Sequence, residues 1–314
     1  MAKAVRGRFA PSPSGRMHLG NIYCALAAWL CANSAGGSMV LRIEDLDPAR
    51  SRQAYTDQIM DDLYWLGLSW AEGPDVGGVY APYTQSSRTG RYAEAFQTLS
   101  GQGLTYPCFC TRAERHAASA PHAEDGSILY SGRCAQLTAA QRIALEKVRT
   151  PAQRLRVQGA ELCFTDGNFG VQRAQTQQIG DIIVRRSDGV YAYQLAVVAD
   201  DGAMHITQVV RGRDLLPSTP VQIYLYRALG IDCPQFLHIP LLVAPDKRRL
   251  SKREQDLNMA YLRDKYEPQA LLGKLAYLCG IVPKEGKYCA EELLEFVHPG
   301  MFGTQDIVVP SLYF

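Results

Sequence analysis

Several features are scarce or missing in this 314-residue sequence, and each absence narrows what the chain can be. No uninterrupted apolar run approaches the roughly 18 residues a membrane-spanning helix needs. The first residues lack the charged-then-apolar pattern of a secretory leader, so a cytoplasmic protein is expected. Net charge is also scarce. The 33 basic and 31 acidic side chains leave +2, too little to mark the whole surface as a polyanion binder. Contact with a nucleic acid must then be local, and the densest local charge is Lys247, Arg248, Arg249, Lys252 and Arg253. A disulfide framework is missing as well: nine cysteines, an odd number scattered over the whole length, suit reduced thiols in a cytosolic enzyme. There is no internal repeat and no low-complexity tract.

What is present is an apolar content of 47%, enough to bury a sizeable core in one large domain or two to three modest ones. Residues 6–9 read as a short strand, and the Pro/Ser/Gly stretch 11–15 as a turn. Ile22, Leu26, Trp29 and Leu30 recur at helical spacing within 21–35, and Gly36-Gly37 supplies the stop. Residues 39–43 read as a buried strand. Strand, loop, helix, strand is how a parallel α/β sheet begins. Amphipathic helices are predicted over 51–66 and 91–102. Between 105 and 188 the character changes to grouped cysteines, a Gly/Ser/His-containing loop and short β-like runs, as an insertion between two halves of a nucleotide-binding sheet would show. Apolar strand-like runs return at 190–198, 206–210 and 237–243, with a helix over 220–229 between them. After Lys252 the sequence reads as helical to about 297, and the last residues show no pattern.

Two segments carry phosphate chemistry. In Pro11–Asn21 a proline-braced loop delivers His18, Gly20 and Asn21 to the start of a helix after the first strand. A helix N-terminus gathers unsatisfied N–H groups and positive dipole, and glycine lets phosphates approach the backbone. His18 adds a hydrogen bond to a phosphate oxygen as charge develops, although a turn histidine that merely caps the helix would look the same. In the second segment, Arg249-Leu-Ser-Lys-Arg253, Lys252 is a long cationic point charge able to reach a triphosphate.

These residues carry a resemblance. His18-Leu-Gly-Asn21 resembles the HIGH motif of class I aminoacyl-tRNA synthetases, and Arg249-Leu-Ser-Lys-Arg253 their KMSKS motif. Residues 8–15 (RFAPSPSG), 41–47 (LRIEDLD) and 210–214 (VRGRD) are similar to the glutamyl subgroup, and the likeness covers roughly residues 6–260. It implies a Rossmann-type parallel sheet of class I synthetase kind, a zinc-bearing α+β insertion and a small C-terminal helical region. The implied boundaries are 1–104 and 189–254 for the two catalytic halves, 105–188 for the insertion and 255–314 for the helical region. His18 and Lys252 are the implied catalytic residues, and His18, Gly20, Asn21, Ser251 and Lys252 the implied ATP site. The glutamate site would be Arg8, Phe9, Ala10, Pro11, Ser12, Glu44, Tyr193 and Arg211. Their chemistry suits an amino acid with two carboxylates and an ammonium: Arg8 and Arg211 are fork-shaped cations, Glu44 accepts from the ammonium, Ser12 offers a hydroxyl, and Tyr193 packs on the aliphatic stem. Asp45 and Asp47 are expected to cap or brace the helix that follows.

Cys108-Phe-Cys110 places two soft thiolates one residue apart, and Cys134 follows after a loop, so three ligands of a tetrahedral zinc site can converge. The resemblance points to Tyr130 as the fourth, while His116 and His122 are chemically more ordinary candidates. Such a zinc would be structural. Cys24 and Cys31 are expected in the core, and His205, His238 and His298 are read as structural or surface residues.

Full glutamyl-tRNA synthetases continue well past the KMSKS-like loop, whereas only about 60 residues follow it in this sequence. The sequence therefore resembles the short glutamyl-Q tRNA(Asp) synthetases. That family implies ATP with Mg²⁺, L-glutamate and queuosine-containing tRNA(Asp) as partners, one structural Zn²⁺ and a monomer. The reaction implied is glutamyl-adenylate formation without tRNA, followed by transfer to queuosine in the anticodon. A minimal glutamyl-tRNA synthetase charging tRNA(Glu) is one alternative. The other is a non-catalytic RNA-binding paralogue, which the departures Arg249 and Arg253 from KMSKS would fit.

Overall fold

Short strands of buried residues build the centre of the molecule, and their alternation decides which layer covers each face. The structure is a computed structural model that describes residues 4–111, 114, 130–159, 161–248, 250, 257–310 and 313–314. Strands β1 (Arg6–Phe9), β2 (Ser38–Leu41), β8 (Gln208–Gly212) and β9 (Gln235–Ile239) form one parallel sheet in the order β2-β1-β8-β9. Met39, Leu41 and Val210 face helix α1 (Leu19–Ser34) and the C-terminal helices; Val40, Val209 and Phe236 face the opposite core. Side chains on a strand alternate between faces, so successive residues serve different cores. Helix α1 is buried nearly all round, which places it at the middle of the first core.

Helix α2 (Gln53–Trp65) and helix α3 (Thr89–Gly101) lie where the sequence pattern puts them, within a residue or two. The described residues between 105 and 188 form antiparallel structure, as strand β3 (Thr105–Cys108), helix α4 (Ala139–Glu146), strands β4 (Ala152–Leu155), β5 (Glu161–Asp166) and β6 (Gly170–Gln175), helix α5 (Thr176–Ile179) and strand β7 (Ile182–Arg185). One sheet has the order β3-β4-β7, and β5 pairs with β6 as a hairpin.

Three expectations are corrected. The apolar run 190–198 is not a strand: Tyr193–Ala203 is helix α6, whose residues 195–201 are all buried. Burial on every side erases the 3.6-residue period, and a short apolar run then looks like a buried strand. The run 237–243 is broken at Pro240, which has no N–H to give a ladder, into β9 and β10 (Leu242–Val243). The C-terminal region is less helical than expected. After helix α7 (Thr219–Ala228) and β10, the described helices are α8 (Met259–Lys265) and α9 (Pro268–Leu278), followed by irregular chain and a short 3₁₀ turn at Glu292–Phe296. The final residues do carry structure: β11 (Ile307–Val308) pairs in parallel with β10, and Arg213 pairs with Asp306 beside it. No helix among the described residues is long and apolar enough to cross a membrane.

Candidate active site

The strand order switches between β1 and β8, which run parallel: β1 continues to β2 on one side, and β8 to β9 on the other. Such a switch point leaves a crevice at the carboxyl ends of the strands. A cleft of about 430 Å³ lies there, lined by Arg8, Phe9, Ala10, Pro11, Ser12, His18, Asn21, Glu44, Tyr193 and Arg211. Every residue expected in the glutamate site is thus in one place, together with His18 and Asn21 of the expected ATP site. Arg249, Ser251, Lys252 and Arg253 lie outside the described residues. The chain just beyond them returns to the first motif: His18 bridges Asn258, and the amide of Met259 donates to Met17 O at 2.9 Å.

His18 is the N-cap of α1. Its Nδ1 accepts from the amide of Gly20 at 3.1 Å, and the amide of His18 donates to Asn21 Oδ1 at 3.1 Å, a reciprocal cap. A Cβ at position 20 would stand 3.0 Å from the His18 ring, so glycine is what lets the imidazole fold over the helix start. Capping and chemistry are compatible here. With Nδ1 accepting, the proton sits on Nε2, a donor suited to a phosphate oxygen.

Charges buried behind the cleft were not legible as site residues. Arg42 is fully buried; its Nη1 lies 2.6 Å from Asp201 Oδ1, and its Nη2 lies 3.1 Å from Glu44 Oε1. Asp201 is also 3.5 Å from Arg8 Nε. Asp200 takes Arg88 Nε at 2.5 Å, Gln85 Nε2 at 2.8 Å and the Tyr92 hydroxyl at 2.8 Å. Burial pushes the Glu44 carboxyl above its usual value of 4.5, with Arg42 and Arg8 opposing. Burial acts on Asp201 too, but Arg42 and Arg8 outweigh it and its pKa is lowered. Two adjacent acids, Asp200 and Asp201, just beyond the apolar run 190–198 were the available signal. Asp45 does not cap α2, whose N-cap is Arg52, but accepts from the amide of Ser86 at 2.7 Å.

Arg211 is 5% exposed and, among the described residues, makes no ion pair within 4.0 Å. Its Nε donates to His238 Nε2 at 3.0 Å and its Nη2 to Thr219 Oγ1 at 2.9 Å, while Nη1 is buried with no hydrogen-bond partner among the described residues. Burial lowers its pKa, which an anion in the cleft would reverse. Tyr193, the first residue of α6, is 36% exposed to the cleft; burial of its hydroxyl, with Glu44 nearby, raises its pKa.

A second cluster lies in the antiparallel segment. The sulfur atoms of Cys108, Cys110 and Cys134 all lie within 4.8 Å of one another, and Cys110 Sγ is 3.6 Å from Cys134 Sγ. Thiolates about 2.3 Å from a tetrahedral zinc stand about 3.8 Å apart, so the donor set fits that ion. The Tyr130 hydroxyl is 3.6 Å and 3.7 Å from Cys108 and Cys110 Sγ. His116 and His122 lie outside the described residues. Arg154 donates to Cys108 Sγ at 3.2 Å, and its guanidinium lies 3.6 Å from the centre of the Tyr130 ring. Burial raises the Cys108 thiol, but Arg154 and the Cys110 amide more than offset it, and the net shift is downward. Burial pushes Cys110 up to about 11.

The model for class I tRNA synthetases (E and Q), catalytic domain, matches residues 4–297. The chain belongs to this family. It is 47% identical to glutamyl-Q tRNA(Asp) synthetase of Nitratidesulfovibrio vulgaris over 98% of the chain and 96% of that relative. Identity to the glutamate–tRNA ligase of Symbiobacterium thermophilum is 42%, over 87% of the chain and 58% of the ligase. In three dimensions the chain is similar to a glutamate tRNA ligase from Elizabethkingia meningosepticum solved in complex with its amino acid, with TM-score 0.85, 28% identity, and coverage of 98% of the chain and 67% of that structure. The parallel sheet is thus a class I synthetase sheet, and the chain is a ligase of this family.

Proposed function

We propose that the chain activates L-glutamate with ATP, without tRNA, and transfers the glutamyl group to queuosine in the anticodon of tRNA(Asp). The observation that carries the first half is Arg211: a guanidinium out of water, with no carboxylate partner among the described residues and one donor edge unused, beside Glu44 and Arg8 in the same cleft. A buried charge needs a counter-ion, and a substrate carboxylate supplies it while Glu44 accepts from the ammonium.

In the first step an α-carboxylate oxygen of glutamate attacks the α-phosphorus of ATP. The P–O bond to the leaving pyrophosphate breaks, and Mg²⁺ travels with the nucleotide. His18 Nε2–H, the α1 N-terminus and Lys252 hold the phosphates as charge shifts to the leaving group. In the second step a hydroxyl of the queuosine cyclopentene ring attacks the glutamyl carbonyl and AMP leaves. Cys108, Cys110, Cys134 and Tyr130 would hold a zinc ion that cross-links the insertion and takes no part in the chemistry. The proposed division remains 1–104 and 189–254 for the catalytic halves, 105–188 for the insertion and 255–314 for the C-terminal region.

The acceptor reading is supported by the 47% identity, which runs through nearly all of both chains. The 42% identity to a glutamate–tRNA ligase favours a second reading, in which tRNA(Glu) is charged at its 3′ end. One experiment separates them. Glutamate-dependent pyrophosphate exchange is expected without tRNA, and labelled glutamate is expected on queuosine-containing tRNA(Asp) but not on tRNA(Asp) lacking it. Label on tRNA(Glu) instead would favour the second reading, and no exchange together with no label on either tRNA would sink both.

A further inference from the structure

One end of the insertion reaches the amino-acid pocket. Asp166 closes β5, and the amide of Gly167 donates to Phe236 O at 2.8 Å, which docks the end of the hairpin on β9. Asp166 Oδ1 accepts from the amides of Asn168 and Phe169 at 3.0 and 2.9 Å. The amide of His238 stands 3.2 Å from both carboxylate oxygens, and His238 Nδ1 is 2.6 Å from Oδ2. Despite burial, these donors hold Asp166 below its usual range. An ionised carboxylate only accepts, so Nδ1 must carry a proton toward it. A guanidinium N–H only donates, and Arg211 Nε points at His238 Nε2, so Nε2 carries no proton and the ring is neutral; burial and the Arg211 charge, which lower the His238 pKa against the pull of Asp166, act in the same sense. Into that lone pair Arg211 Nε donates at 3.0 Å. The charged groups facing the ring are Asp166 from β5, Arg211 from β8 and Arg8 from β1.

The choice of a neutral acceptor matters. A carboxylate behind Arg211 would hold the guanidinium and also cancel its charge, whereas a neutral imidazole holds it and leaves the charge for the substrate. We propose that Asp166 and His238 are positioning residues for amino-acid recognition: Asp166 fixes His238 as the Nδ1–H tautomer, and His238 fixes Arg211 with Nη1 left for a substrate carboxylate. This rests on the glutamate-activation reading and makes the insertion a contributor to the amino-acid site.

The test compares full-length variants in glutamate-dependent pyrophosphate exchange. His238→Leu keeps bulk and removes the acceptor, and KM for glutamate is expected to rise about ten- to a hundredfold, the range for a hydrogen bond lost to a charged group. His238→Gln places an amide oxygen near the old Nε2 and is expected to restore KM to within a few fold of wild type. Asp166→Asn offers Nδ1 a donor, favours the Nε2–H tautomer opposite the Arg211 donor, and is expected to raise KM as His238→Leu does. KM for ATP should stay unchanged in all three. Equal glutamate KM in the Gln and Leu variants would overturn the proposal, since a merely structural role would not distinguish them. Independently of activity, ¹⁵N spectra of the wild-type histidines should show His238 as the Nδ1–H tautomer, titrating below the ordinary histidine value of 6.5. An Nε2–H tautomer, or titration above that value, would also overturn it. A wild-type chain with no glutamate-dependent exchange would fail the underlying reading instead, and the spectrum would still decide the Asp166–His238 contact.

Discussion

Arg211, Glu44 and Asp201 are charges taken out of water, and each is handled differently. Asp201 is paired within the protein, Glu44 partly so, and Arg211 is held by neutral groups. Truncation of Arg211 therefore removes the group proposed to meet the substrate carboxylate. For Arg211→Ala we expect glutamate-dependent exchange to fall by about a hundredfold or more, the scale of a desolvated charge pair at about 2–5 kcal/mol; normal exchange would refute the assignment. Glu44 gives the pH prediction. Its folded pKa is raised above the ordinary 4.5, so between the two values the native state binds the extra proton, and stability from this group falls as pH rises through that window. Only the ionised form accepts from an ammonium. KM for glutamate is thus expected to climb as pH falls toward the raised value, earlier than for an exposed carboxylate, and Glu44→Gln should flatten that acid limb. Asp201, with its lowered pKa, works oppositely: its stabilisation is present above the ordinary 3.8 and is lost as pH falls through its folded value.

At the scale of elements, α1 couples folding to chemistry through one residue. His18 caps the helix through Nδ1 and presents Nε2–H, so two substitutions separate the roles. His18→Asn keeps a side-chain acceptor at the cap; stability measured by denaturant should change by less than about 0.5 kcal/mol while turnover falls more than KM. His18→Ala should lose both, with about 1 kcal/mol of stability gone. Wild-type turnover in His18→Asn would show that the ring acts only as a cap. Helix α9 makes a different demand. A Cβ at Gly273 would lie 1.8 Å from the carbonyl oxygen of Gly286, a backbone atom that cannot swing away. Gly273→Ala is expected to cost about 1–3 kcal/mol as overpacking, read as a lowered melting temperature with KM for glutamate unchanged.

At the scale of the whole molecule, cavities connect the chemistry to a distant cluster. The cleft proposed for glutamate shares Ser12, Glu44 and Tyr193 with a second cavity of about 360 Å³, and that one shares Arg186 and Ala192 with a third of about 570 Å³ bordered by Cys108 and Cys110. The proposed zinc therefore borders the third cavity and not the cleft that His18 and Arg211 line. Protein purified without chelator is expected to contain about one zinc per chain. Cys134→Ser should lose the metal and tRNA glutamylation while keeping most of the tRNA-independent exchange. Metal analysis returning no zinc would refute the site, and exchange lost in parallel with glutamylation would make the cluster a requirement of the whole fold.

The sequence by itself determined the parallel-sheet opening and the helices α1, α2, α3 and α7 to within two residues, because local spacing and turn chemistry encode these. Some of the residues that line the cleft were named by the family resemblance that the motifs carry. The sequence pattern misread α6, because a helix buried on all sides shows no period, and it ran past Pro240 because apolar content continued on both sides. What only the tertiary structure decided are partnerships across long chain separations: Arg42 with Asp201, Asp166 with His238, β10 with β11, and Asn258 returning to His18. His238 shows why. In the sequence it is one histidine in an apolar run; its meaning comes from a carboxylate 72 positions earlier and an arginine 27 positions earlier, brought within hydrogen-bond reach only when three strands meet.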